Sequence, residues 1–89
     1  MDFGWDAGKA AANLRKHRVS FEDAARVFLD PNRIESYDVR DVGEDRWKTV
    51  GMVDPALLVV VYTVRGKDVI RLISARKADA NERTQYSEI

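Results

Sequence analysis

The chain has 89 residues, no cysteine and 45% apolar residues, which describes one domain with a single modest core and excludes a disulfide scaffold or a zinc-thiolate centre. Fifteen basic and fifteen acidic side chains cancel, so attraction to nucleic acid or to an anionic membrane cannot rest on overall charge. The charge is unevenly spread: residues 1–45 hold 7 Lys and Arg against 10 Asp and Glu, and residues 46–89 hold 8 against 5, giving −3 and +3. An anionic ligand is therefore expected at the later half. The longest apolar run, Ala56 to Tyr62, is far short of the ~20 residues that span a bilayer, and Met-Asp-Phe is not a signal-peptide opening, so a cytoplasmic protein away from membranes is expected.

Phe3 and Trp5 alternate with polar neighbours, as in a short opening strand, and Asp6 can cap a helix over residues 7–17. In that helix Ala7, Ala10, Ala11 and Leu14 recur at helical spacing, which predicts that Lys9, Asn13 and Lys16 face water. Ser20 starts a second helix with Phe21, Ala24, Ala25, Phe28 and Leu29 on one stripe, and Asp30-Pro31 ends it. So short a connection predicts an αα-hairpin needing cover from the rest of the chain.

Residues 34–40 read as an edge strand, and 46–52 as a strand with Trp47, Thr49 and Gly51 on one face and Arg46, Lys48, Val50 and Met52 on the other. Leu57 to Val64 is apolar nearly throughout, as in a central strand, and Arg65-Gly66-Lys67-Asp68 turns it into a partner over 69–76. Asp79 and Glu82 make a capping-box pair for a last helix over 80–89. The expected architecture is α+β: a hairpin of helices on an antiparallel sheet, closed by a C-terminal helix, in one domain spanning residues 1–89.

No phosphate loop, dinucleotide fingerprint, nucleophile elbow or HExxH helix is present, so the chemistry must start from cations. Arg46, Lys48, Arg65, Lys67, Arg71, Arg76, Lys77 and Arg83 lie on or beside the predicted sheet and last helix, interleaved with Trp47, Tyr62 and Tyr86. Guanidinium groups can hold phosphates while aromatic rings stack on unpaired bases, so Trp47, Lys48, Tyr62, Arg71 and Lys77 are candidate RNA contacts. The plainer reading is a solvated rim of charges, with Trp47 and Tyr62 in the core. Arg71 and Arg76 are five apart and point to opposite faces of a regular strand; only a bulge or the strand end would bring them together. His17 is the sole histidine, hence a proton-transfer candidate, though a cation at a helix C-terminus is the plainer reading. Asp38, Asp41, Glu44 and Asp45 could hold Mg²⁺ but are accounted for as a polar connection; no metal or other cofactor is expected.

Asn13-Leu14-Arg15-Lys16-His17, then Val19 to Ala24, Glu44 to Gly51, Val61-Tyr62-Thr63, Arg71 to Ala78, and Glu82-Arg83 with Tyr86, follow one another in an order that resembles the BrnT toxin family over essentially the whole chain. Arg18 stands where the family usually has Gly. The resemblance implies a RelE-like fold, a ribonuclease toxin that blocks translation, and a BrnA-type antitoxin that binds DNA and represses its own operon. It also implies a toxin–antitoxin heterotetramer that meets DNA only through the antitoxin. The reaction expected is metal-independent attack of an RNA 2′-hydroxyl on its neighbouring phosphate, which needs positive charge at the phosphorane and two proton transfers. Arg46, Arg65, Arg76 and Arg83 are the candidates for charge, and His17, Glu82 and Tyr86 for the protons. Glu82 has a competing role in the capping box, and Tyr86 resembles a C-terminal tyrosine of RelE-like nucleases. The alternative function is a non-catalytic partner-binding module whose output is transcriptional control.

Overall fold

Asp6 and Ser20 decide where the early helices begin. An Asp6 carboxylate oxygen accepts the Lys9 N–H at 2.9 Å to cap α1 (Ala7–His17), and the Ser20 hydroxyl accepts the Asp23 N–H at 3.1 Å to cap α2 (Phe21–Ala25). Arg18 ends α1 in the left-handed conformation, φ 61°, with its N–H on the Leu14 carbonyl. The second helix is shorter than expected: at Arg26 it tightens into a 3₁₀ turn, Arg26–Leu29. That turn drives Val27 against Gly51, where an added Cβ would lie 2.6 Å from a Val27 methyl. Only a residue without a side chain admits so close an approach.

Five strands follow the order β1 (Asp2–Gly4), β5 (Val69–Lys77), β4 (Ala56–Arg65), β3 (Arg46–Val53), β2 (Ile34–Asp38) across the sheet; the computed structural model describes residues 1–38 and 45–88. The three joins among β2 to β5 are antiparallel, but β1 runs parallel to β5, pairing Asp2 with Val69 and Gly4 with Arg71. The sheet is thus mixed, not antiparallel as expected. No tight turn links β1 to β5, so nothing constrains that pair to run in opposite directions. α3 (Ala80–Ser87) closes the described chain, with the capping box of Asp79 and Glu82 formed. No described helix is long and apolar enough to cross a membrane.

The two faces of the sheet are covered differently. Leu58, Val60 and Tyr62 of β4 and Ile70, Leu72 and Ala75 of β5 pack with Val19, Phe21, Ala24 and Val27, forming the main core beneath α2 and the 3₁₀ turn. Phe21 and Val27 are fully enclosed, each worth roughly 1.5–3 kcal/mol of burial. On the second face Val50, Leu57, Val59 and Ala78 pack against Tyr86 of α3.

The expected orientation of α1 is reversed in part. Leu14 is 49% exposed and Asn13 is buried at 7%. The Asn13 amide nitrogen donates to the carbonyls of Val19 and Ala75, both at 2.9 Å, and its oxygen accepts the Ala75 N–H at 3.0 Å. A saturated amide can occupy an interior position that its polarity alone argues against.

Candidate functional site

The register along β5 contains one interruption. Val61 faces Ser74 but Tyr62 faces Leu72, so Ile73 is the extra residue of a bulge. Val59 then pairs with Arg76 and Thr63 with Arg71; Val59 and Thr63 are four apart on β4 and share a face. The bulge therefore puts Arg71, Ser74 and Arg76 on the second face, together with Lys48, which pairs with Val61, and Arg46, which pairs with Asp38. With strands ~4.8 Å apart and ~3.3 Å per residue, Arg71 and Arg76 sit about 13 Å apart along a patch three strands wide.

One end of the patch is tied to α3. Both terminal nitrogens of Arg76 reach the Glu82 carboxylate at 2.8 Å, Glu82 Oε1 also accepts the Asp79 N–H at 2.9 Å, and the Lys48 ammonium lies 3.5 Å from Oε2. Arg76 also donates to the Lys77 carbonyl at 3.3 Å, so three of its five N–H donors are engaged by these partners. Beyond it, the Tyr86 hydroxyl donates to Asp30 at 2.5 Å, and the same Asp30 oxygen accepts the Met52 N–H at 2.7 Å.

Other expected site residues lie elsewhere. Trp47 and Tyr62 are paired neighbours on the helix-covered face; Tyr62 is 4% exposed with its ring 5.0 Å from that of Phe28, so neither ring shares the face of the cations. The β3 alternation that set Arg46 and Lys48 opposite Trp47 separates them. Lys77 pairs with Leu58 and belongs to the helix-covered side. Arg65, at the end of β4 opposite Val69, stands six rungs from Val59, the partner of Arg76, about 20 Å along the strand. Arg83 is exposed on α3. Arg46, Arg65, Arg76 and Arg83 thus do not meet in one pocket. His17 borders a separate cavity of about 300 Å³ at the β5 edge with Lys9, Lys16, Asn13, Ile73 and Ser74, so it adjoins the patch through the bulge. Asp41 and Glu44 lie outside the described residues; among the described residues no cluster of three metal-ligating side chains occurs.

A family model for the ribonuclease toxin BrnT of type II toxin–antitoxin systems matches residues 5–82. The chain belongs to the BrnT toxin family. It is also similar to the ribonuclease toxin BrnT of Brucella abortus, whose 1.1 Å crystal structure gives a TM-score of 0.67 at 27% identity, over 89% of this chain and 97% of that one. No curated protein sequence matches. Membership makes this a ribonuclease toxin of a type II system, in which the partner is a protein antitoxin.

In this BrnT-family chain the ionisable groups near the patch are unequal as proton carriers. The hydrogen bonds from Arg76, aided by the Asp79 N–H and Lys48 and opposed by burial, hold the Glu82 carboxyl down at about 2. Glu82 raises Arg76 in return. The bond to Asp30, with burial, raises Tyr86 above the ordinary phenol range. Burial pushes Asp30 up, but its bonds from Tyr86, Met52 and Asn32, with Arg33 nearby, leave it lowered overall. Glu82 is thus a locked anion and Tyr86 a reluctant acid, which leaves His17 as the proton-transfer candidate not tied into either pair. Asn13 and Ser74 were not foreseen as site residues. The five-residue spacing of Arg71 and Arg76 signals a bulge beside Ser74 if both are to act together, whereas no pattern of residues signals Asn13.

Proposed function

We propose that this chain is an endoribonuclease toxin that inhibits translation in the cytoplasm by cutting RNA without a metal ion, on a RelE-like scaffold, until a BrnA-type antitoxin neutralises it. The observation that carries this reading is the β5 bulge, which puts Arg71 and Arg76 on one face with Arg46 and Lys48. An RNA 2′-oxygen attacks the adjoining phosphorus and the 5′-oxygen leaves, giving a 2′,3′-cyclic phosphate. Arg71 and Arg46, at one end of the patch, take the charge that accumulates on the phosphorane oxygens, the outward N–H groups of Arg76 hold a neighbouring phosphate of the same strand, and Lys48 is partly spent on Glu82. One proton leaves the 2′-hydroxyl and one reaches the 5′-oxygen; His17, beside Ser74 at the margin of this face, handles one of them. Arg65 and Arg83 serve, at most, flanking nucleotides. The antitoxin is the route by which the toxin–antitoxin assembly, a heterotetramer, contacts DNA.

The test is expression in a host lacking the antitoxin, paired with cleavage of RNA by purified protein in excess EDTA. Growth arrest, degraded RNA and persistence of cutting in EDTA support the reading. Unaffected growth together with intact RNA supports the non-catalytic binding module instead, and activity restored only by Mg²⁺ removes the metal-free mechanism.

A further inference from the structure

β1 pairs with β5 only from Val69 to Arg71, so beyond Arg71 the outer side of β5 has no strand neighbour among the described residues. At Ala75 the side chain of Asn13 takes that place: it accepts the backbone N–H and donates to the backbone carbonyl of the same residue, the pair of bonds that a neighbouring strand would make. Its second N–H is held by the Val19 carbonyl just past the end of α1, so the amide cannot turn without losing a buried bond. Ala75 lies between the bulge at Ile73 and the side chain of Arg76. A bulged strand has an alternative in which the extra residue slides along, and sliding it past Arg76 would turn that side chain to the other face.

We infer that Asn13 is a positioning residue: its amide fixes the β5 bulge at Ile73 and thereby aims Arg76 at Glu82 and the cationic face. Its bearing on RNA cleavage rests on the proposed nuclease reading, but its effect on Arg76 does not. The readout is therefore Glu82, whose carboxyl is held at about 2 chiefly by Arg76. In an NMR pH titration of folded Asn13→Ala, with Asn13→Asp as an isosteric second variant that keeps the acceptor and loses both donors, the Glu82 pKa rises by at least one unit. RNA cleavage falls at least tenfold, in kcat more than in KM. Phe21→Leu, which costs stability in the same core but makes none of the Asn13 or Arg76 hydrogen bonds, leaves the Glu82 titration in place. A Glu82 pKa still near 2 in either folded Asn13 variant overturns the inference. An elevated Glu82 pKa in a protein that never cut RNA would uphold it and sink the nuclease reading alone. Should neither variant fold, amide exchange in the unaltered protein decides: protection of the Ala75 N–H comparable to that of the β4-paired amides is expected, and exchange as fast as an open strand edge overturns the assignment.

Discussion

Arg76 and Glu82 meet fork to fork, with two nitrogens on two oxygens at 2.8 Å each, and Glu82 is 5% exposed. The pair does two things at once. It fastens the first turn of α3 to β5, and it holds one arginine of the cationic face in a single orientation while leaving part of its guanidinium unspent.

That fastening is pH-dependent. The Glu82 carboxyl lies at about 2 in the folded chain against an ordinary 4.5, so its contribution is complete above 4.5 and fades as pH falls from 4.5 toward 2. The shift corresponds to roughly 3 kcal/mol, reduced to about 2 because Arg76 is 40% exposed. Urea unfolding at successive pH values should show this loss. Glu82→Gln should be less stable by about 2 kcal/mol at pH 7 and show a flatter curve between pH 5 and 2; an unchanged slope would mean that the pair is energetically idle.

Arg71 shares the face of Arg76 but has no carboxylate fork in its described surroundings. Arg71→Ala should therefore weaken RNA binding with stability changed by less than about 0.5 kcal/mol. For three to five phosphate contacts, log K against log salt should fall with a slope of about −2 to −3.5, and the Arg71 variant should be shallower by about 0.7. A flat response in the unaltered protein would argue against an RNA-binding face.

Gly51 is where the 3₁₀ turn touches the sheet. A methyl there meets Val27 at 2.6 Å and the Arg33 Cβ at 3.1 Å, so Gly51→Ala should cost about 1–3 kcal/mol in thermal or denaturant unfolding. A wild-type melting temperature in that variant would show that the turn can retreat freely.

Arg18 occupies a left-handed backbone position, φ 61°, that glycine adopts without steric cost. Arg18→Gly should stabilise the fold by about 0.5–1 kcal/mol, measured by denaturant midpoint, after the entropy of the freer unfolded chain is deducted. A destabilised variant would mean that the Arg18 side chain contributes contacts outweighing the strain.

Much of this molecule was legible in the residues. The caps at Asp6, Ser20 and Asp79 placed three helix starts, and the β3 alternation separated Arg46 and Lys48 from Trp47 as observed. The interior position of Asn13 was not legible, because an amide among alanines reads as polar until its three partners are in place. The convergence of Arg71 with Arg76 depends on a bulge that no local pattern locates, since strand spacing carries no record of a skipped partner. Charge alone does not show that Arg65, though two residues beyond Thr63, the partner of Arg71, is about 20 Å from Arg76, or that Arg83 stands exposed on α3. For Trp47 and Tyr62 the ring type alone allows either a base contact or core packing, and the register makes them neighbours on the main-core face.

The amide of Asn13 on the backbone of Ala75 has a bearing on solubility as well. A strand margin with spare N–H and carbonyl groups is an invitation for a second polypeptide to add itself in cross-chain pairing. At Ala75 those groups are already consumed from within, so a stacked or fibrillar assembly cannot propagate from that spot without first evicting a buried side chain.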